Sequence, residues 1–267
     1  MASPKQLPEF VLFGASMTEW SFDEKTQGIG WFLRTRYDGK VKVLNEGQAG
    51  YTSTRLQSDF ARIIDRATSP SAPQTLLFTI FIGANDACFI GAKEFVPFPT
   101  FCGNIRAYVE TILTEDAMGD TKIVLIAPPP INGPEARLHG KETEENIRDI
   151  NARNREQQRY RTYMSKKRYA DGVMGIAREY EETGRVLGVD FWKGLVEQKI
   201  KEDGKGKWED MEESGLWPGS GLIGAGQFGK EWFTDGLHLD KKGYGVLNRM
   251  LMEGVLEKWP ELAPEKL

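Results

Sequence analysis

Leu76-Leu77-Phe78-Thr79-Ile80-Phe81-Ile82-Gly83 is nearly all apolar and runs straight into Ala84-Asn85-Asp86. A strand that is apolar on both faces is covered on both sides, as in a parallel sheet with helices above and below it. Working outward, further short apolar runs predict strands at Phe10 to Gly14, Val41 to Asn45, Lys122 to Ala127 and Val186 to Val189. Amphipathic stretches lie between them, over Gly28 to Tyr37, Thr54 to Ala67 and Cys102 to Ala117, then a long polar segment from Glu142 to Glu182. A last helix is expected from Lys241 to Lys258, stopping before Pro260. Strands alternating with helices define an α/β class built around a parallel sheet.

The predicted strands end in small or polar turns: Gly14-Ala15-Ser16, Asn45-Glu46-Gly47, Gly83-Ala84-Asn85-Asp86 and Pro128-Pro129-Pro130. In an open parallel sheet ligands bind outside the carboxyl ends of the strands, so these turns are expected to line one crevice. No repeat or linker interrupts the pattern, and 1–267 reads as a single domain. Residues 201–230, rich in Gly, Trp and charge and carrying Pro218, read as a long loop or lid.

With 267 residues the chain can bury a full core. A net charge of −4 argues against nucleic acid or an anionic membrane as the main partner. The short basic run Lys166-Lys167-Arg168 reads as a solvated helix face. Cys88 and Cys102 make no disulfide framework, and no Cys/His spacing resembles a zinc site, so neither metal nor cofactor is expected. Phe10 to Phe13 is too short for a signal-peptide core, and no run of about 18 apolar residues suggests a membrane span. A cytoplasmic protein acting on a small molecule is the expectation, with self-association left open.

Only two histidines occur, and His238 stands three residues after Asp235 in Thr234-Asp235-Gly236-Leu237-His238-Leu239. Imidazole is the usual general base near neutrality, and a nearby carboxylate can fix its tautomer. His139 has no acid or nucleophile near it in sequence and reads as a surface residue. Ser16 follows the first strand where a hydrolase could place a nucleophile. Thr18 occupies the last position of a G-x-S-x-G match, so the nucleophile elbow is absent. Taken alone, Ser16 reads as a turn or N-cap serine. Asn85 could aim its amide at a developing oxyanion or could cap the next segment. Gly50 could offer a backbone N–H in a loop that needs unusual dihedrals. Gly224-Ala225-Gly226-Gln227-Phe228-Gly229 matches a dinucleotide fingerprint, but no predicted strand precedes it.

Together these pieces form an ordered set. Gly14 to Glu19, Asn45 to Gly50, Gly83 to Asp86 and Asp235 to His238 resemble, in this order, the four blocks of the SGNH (GDSL-type) esterase and lipase superfamily. The Leu237/Leu239 and Gly243-Tyr244 flanks, Val96-Pro97 and Ala127 to Pro130 are similar to the isoamyl-acetate-hydrolysing esterase branch. The resemblance implies a three-layer α/β/α sandwich with a mostly five-stranded, flavodoxin-like parallel sheet. It implies Ser16 as nucleophile, His238 as base and then acid, and Asp235 as its partner. It also implies an oxyanion hole from the Ser16 and Gly50 N–H groups and the Asn85 side chain.

The implied activity is hydrolysis of short-chain carboxylic esters through an acyl-serine, with acetates of small alcohols foremost. A carbohydrate deacetylase or acyl thioesterase on the same triad, or a non-catalytic α/β binding module, stays open. One departure stands out: the family's Asp before the serine is Ala15 here, from which altered efficiency rather than lost activity is expected. Trp217, Trp232 and Phe233 either anchor the loop on the core or, with Met17, are candidate walls of the ester pocket.

Overall fold

A computed structural model describes residues 6–88, 94–157, 163–204 and 206–267. The strands are β1 (Glu9–Gly14), β2 (Lys42–Gly47), β3 (Thr75–Phe81), β4 (Lys122–Ile126) and β5 (Val186–Val189). They form one sheet in the order β2-β1-β3-β4-β5, and every neighbouring pair is parallel. Parallel pairing brings all the strand carboxyl ends to one edge of the sheet, where the functional turns gather.

Alternation along each strand supplies two cores. Phe10 and Leu12 of β1 and Val124 and Ile126 of β4 point to one face, against α2 (Ile29–Arg36), α7 (Phe191–Asp203) and α9 (Lys241–Lys258). Val11, Phe13, Ile123 and Leu125 point to the other, against α3 (Gln57–Ala67), α4 (Phe98–Thr114) and α6 (Tyr163–Glu179). The helices present matching stripes: Phe60, Ile63, Ile64 and Ala67 on α3, and Tyr244, Leu247, Leu251 and Val255 on α9. This is the expected sandwich of helices on both sides of a five-stranded parallel sheet.

Several element boundaries move. α4 begins at Phe98 rather than Cys102, because Pro99 lies in the first turn, where a missing N–H costs nothing. Asp116–Met118 beyond it is a separate 3-10 turn. The polar stretch 142–182 holds α5 (Glu144–Gln157) and α6. Lys166, expected on a solvated face, is buried. Lys167 instead bonds to Asp171, and Arg168 stacks over Phe98.

The expected lid at 201–230 is also more structured than a loop. α7 enters it, α8 (Trp208–Ser214) lies within it, and Trp217, Leu222 and Phe228 are buried. Backbone bonds from Gly133 to Gly219 and from Ala136 to Gly221, with the Asn151 side chain on Ile223, fasten it to the chain after β4. Among the described residues no helix is long and apolar enough to cross a membrane.

Candidate active site

β1 ends at Gly14, and Ser16 opens the short helix α1 (Ser16–Glu19) directly beyond the sheet edge. Its hydroxyl Oγ lies 3.0 Å from His238 Nε2, and Asp235 Oδ2 lies 2.7 Å from His238 Nδ1. These are hydrogen-bond distances for a nucleophile, base and orienting acid in series. Ser16 is itself buried, whereas the Asp235 side chain stays 55% exposed.

The Asp235–His238 segment holds its shape through its own carboxylate. Asp235 Oδ1 accepts from the backbone N–H groups of Leu237 (2.9 Å) and His238 (2.8 Å), leaving Oδ2 for the imidazole. Thr234 N–H donates to the His238 carbonyl, and Asp240 N–H to that of Trp232, closing the loop at its neck. Gly236 sits at φ +83°, and a Cβ there would come within 2.8 Å of the Asn132 carbonyl. Only glycine fits a left-handed residue in such close contact. Asp240 then caps α9 through its side chain. Burial pushes the Asp235 carboxyl up, but the His238 amide, the imidazole and the Leu237 amide together outweigh it and leave the carboxyl below its ordinary range. Asp235 is thus held as the anion that a paired imidazolium needs.

The other two blocks follow β2 and β3, the strands that flank β1 in the sheet. Asn85 donates one Nδ2–H to the Tyr51 carbonyl at 2.8 Å, which fixes the plane of its amide. An amide nitrogen carries two hydrogens, so a second donor remains. Gly50, at φ +76°, turns the second loop beside it; its N–H has no acceptor among the described residues. Ser16, as first residue of α1, likewise has no intrahelical partner for its N–H. Glu19, not singled out by the sequence reading, anchors this loop: its carboxylate accepts from Ala49 N–H and its carbonyl from Asn45 Nδ2. Ala15 is the N-cap of α1 and supplies no side-chain cap, so the family's Asp would add an acceptor there that this chain lacks.

Asp86 ties the second and third blocks together from beneath. Its fully buried Oδ1 accepts from Ser53 N–H (2.9 Å) and Ser53 Oγ (2.6 Å). Asn104 donates to Ser53 Oγ, and the Tyr108 hydroxyl to the Ser53 carbonyl. Burial raises the Asp86 carboxyl from 3.8 to about 6, against the lowering effect of its Ser53 bonds. Below pH 3.8 the carboxyl is protonated in folded and unfolded chains alike. Between about 4 and 6 the unfolded chain releases the proton first, so stability falls as pH rises, and the loss is complete above about 6. The total is on the order of 3 kcal/mol. Asp86→Asn is therefore expected to flatten the melting-temperature profile between pH 4 and 7, as thermal scans across that range would show.

Met17, Trp217, Trp232 and Phe233, the expected pocket walls, are buried among the core residues of the α2–α7–α9 face. Trp217 packs on Trp192 and Trp208, and Phe228 on both Trp232 and Phe233. A cavity of about 430 Å³ beside Asp235 is lined by Cys88, Ile131, Asn132, Pro134, Lys166 and Leu237. Cys88 and Cys102 are free thiols. His139 is exposed and distant in role, with its carbonyl bonded to Asn146. Trp20, which the sequence reading passed over, packs its ring 4.4 Å from that of His238.

A serine after the first strand of a parallel sheet, in hydrogen-bonded series with a histidine and an aspartate from the loop before the last helix, defines the class of the serine hydrolases. The chain belongs to the GDSL-like lipase/acylhydrolase family, whose model matches residues 10–250, and with it to the carboxylic ester hydrolases. It is 29% identical to a GDSL esterase/lipase of Arabidopsis thaliana, over 97% of this chain and 89% of that one. It is 26% identical to the isoamyl acetate-hydrolyzing esterase of Saccharomyces cerevisiae, over 97% of this chain and 90% of that one. The fold superposes on a lipase/acylhydrolase from Enterococcus faecalis with TM-score 0.56 and 18% identity, covering 94% of this chain and 97% of that one.

Proposed function

We propose that this protein hydrolyses short-chain carboxylic esters, acetates of small alcohols foremost, through an acyl-serine. The observation that carries the reading is the 3.0 Å contact between Ser16 Oγ and His238 Nε2, with Asp235 fixed on the far nitrogen. Ser16 Oγ attacks the ester carbonyl carbon as His238 Nε2 takes its proton. The imidazolium is stabilised by the Asp235 carboxylate. The carbonyl oxygen, now an anion, is received by the Ser16 and Gly50 N–H groups and the free N–H of Asn85. Such donors are worth about 3 kcal/mol each when aimed at the developing charge. His238 then gives its proton to the departing alcohol oxygen, and water repeats the sequence on the acyl-serine.

The substrate class rests on one support. A full-length relative is named for hydrolysing isoamyl acetate. The test is a hydrolysis panel crossing acyl length with small alcohols, sugars and thiols. The expected outcome is highest kcat/KM on acetates of small alcohols, falling as the acyl chain lengthens. Faster turnover of acetylated sugars or of thioesters would transfer the assignment to a deacetylase or thioesterase. No turnover by folded protein would leave a binding module.

A further inference from the structure

Trp20 is the most exposed large hydrophobic side chain among the described residues, at 49%. It is not on a loose segment. Its backbone N–H closes α1 on the Ser16 and Thr18 carbonyls, and its carbonyl accepts from Asp23 N–H. Its neighbours are fixed on both sides. Glu19 is bonded to Asn45 and Ala49, and Ser21 is buried with its hydroxyl between the Thr18 carbonyl and Gly30 N–H. A large apolar ring on so constrained a backbone loses free energy to water in the empty site and recovers it when something apolar covers it.

The ring's neighbour says which half of a substrate would cover it. The indole centroid is 4.4 Å from that of His238, with the planes tilted at 55°, so the indole flanks the imidazole. In ester cleavage the imidazolium protonates the leaving oxygen, and the alcohol half must therefore lie against the histidine. From this geometry we propose that Trp20 is the wall for the alcohol half of the ester and, among small alcohols, sets preference for branched or aromatic ones over methanol. The assignment rests on the esterase reading above and adds the alcohol specificity to it. Bond making and proton transfer stay with Ser16 and His238; Trp20 selects what is positioned between them.

The test compares methyl, 3-methylbutyl and benzyl acetates, then a series of methyl esters of increasing acyl length. Wild type is expected to favour the two bulky acetates. Trp20→Ala should lower their kcat/KM by about tenfold, the range typical of losing a few apolar contacts in a pocket, while methyl acetate moves little. Trp20→Phe should keep most of the preference, and the acyl series should keep its order in both variants. An equal loss on all three acetates would mean that Trp20 acts only by holding the imidazole, and it overturns the proposal. An unchanged alcohol preference overturns it as well. Trp20→Gln, polar but of similar reach, repeats the comparison if the alanine variant folds poorly. Wild type that turns over esters without regard to alcohol sinks this assignment alone. Wild type inert on every ester sinks the esterase reading itself.

Discussion

Ser16→Ala is expected to lower kcat for acetate-ester hydrolysis by at least about 10⁴-fold, because the variant has no atom to form the acyl bond. The loss should fall on kcat and leave the fold alone. The hydroxyl's bond in the structure is to His238, and a single partly buried side-chain bond contributes only about 1 kcal/mol to stability. The Ser16 backbone N–H survives the substitution, and Gly50 and Asn85 are untouched, so a small residual rate from oxyanion binding should persist. Stopped or steady-state assays of both proteins, alongside a melting curve, check this. A variant within tenfold of wild type would place the nucleophile elsewhere.

Asp235→Asn is the second large effect, and its size depends on how one side chain divides its bonds. One carboxylate oxygen holds the Leu237 and His238 amides, and the other holds the imidazole. The amide's carbonyl oxygen can keep the first task, so the turn should persist. Its NH₂ must then face His238 Nδ1 and donate to it. Nδ1 becomes the acceptor, the ring proton moves to Nε2, and Nε2 can no longer take the Ser16 proton. A fall in kcat of about 10³ to 10⁴ follows, the size expected when a triad acid becomes its amide. KM for small acetates and the melting temperature should change little. If kcat stays within tenfold, Asp235 is a turn residue and the imidazole is oriented by other means.

Much of this site was legible in the sequence because its parts sit at strand ends, where residue type is set by chemistry more than by packing. β3 announced itself by continuous apolarity, and its turn by Asn85 and Asp86. α9 was bounded by Pro260 beyond Lys258. What failed to show was exposure. Trp217, Trp232 and Phe233 fall close together near the last block, yet sequence spacing does not say whether an aromatic faces solvent or core. They close the core against α7 and α9. Trp20 had the opposite fate: a lone tryptophan after the first block carries no pattern, and its partner His238 is brought to it only by the fold. The Asp86–Ser53 link between two loops was equally invisible, since burial alone makes that carboxylate's bonds matter.

Ser16 is proposed as the activated nucleophile of this triad. Intact-protein mass spectrometry after treatment with a fluorophosphonate tests it most directly. One adduct per chain is expected on the wild type, mapped to Ser16, and none on Ser16→Ala. A folded wild type that takes up no adduct, or a Ser16→Ala protein that is still labelled, would contradict it.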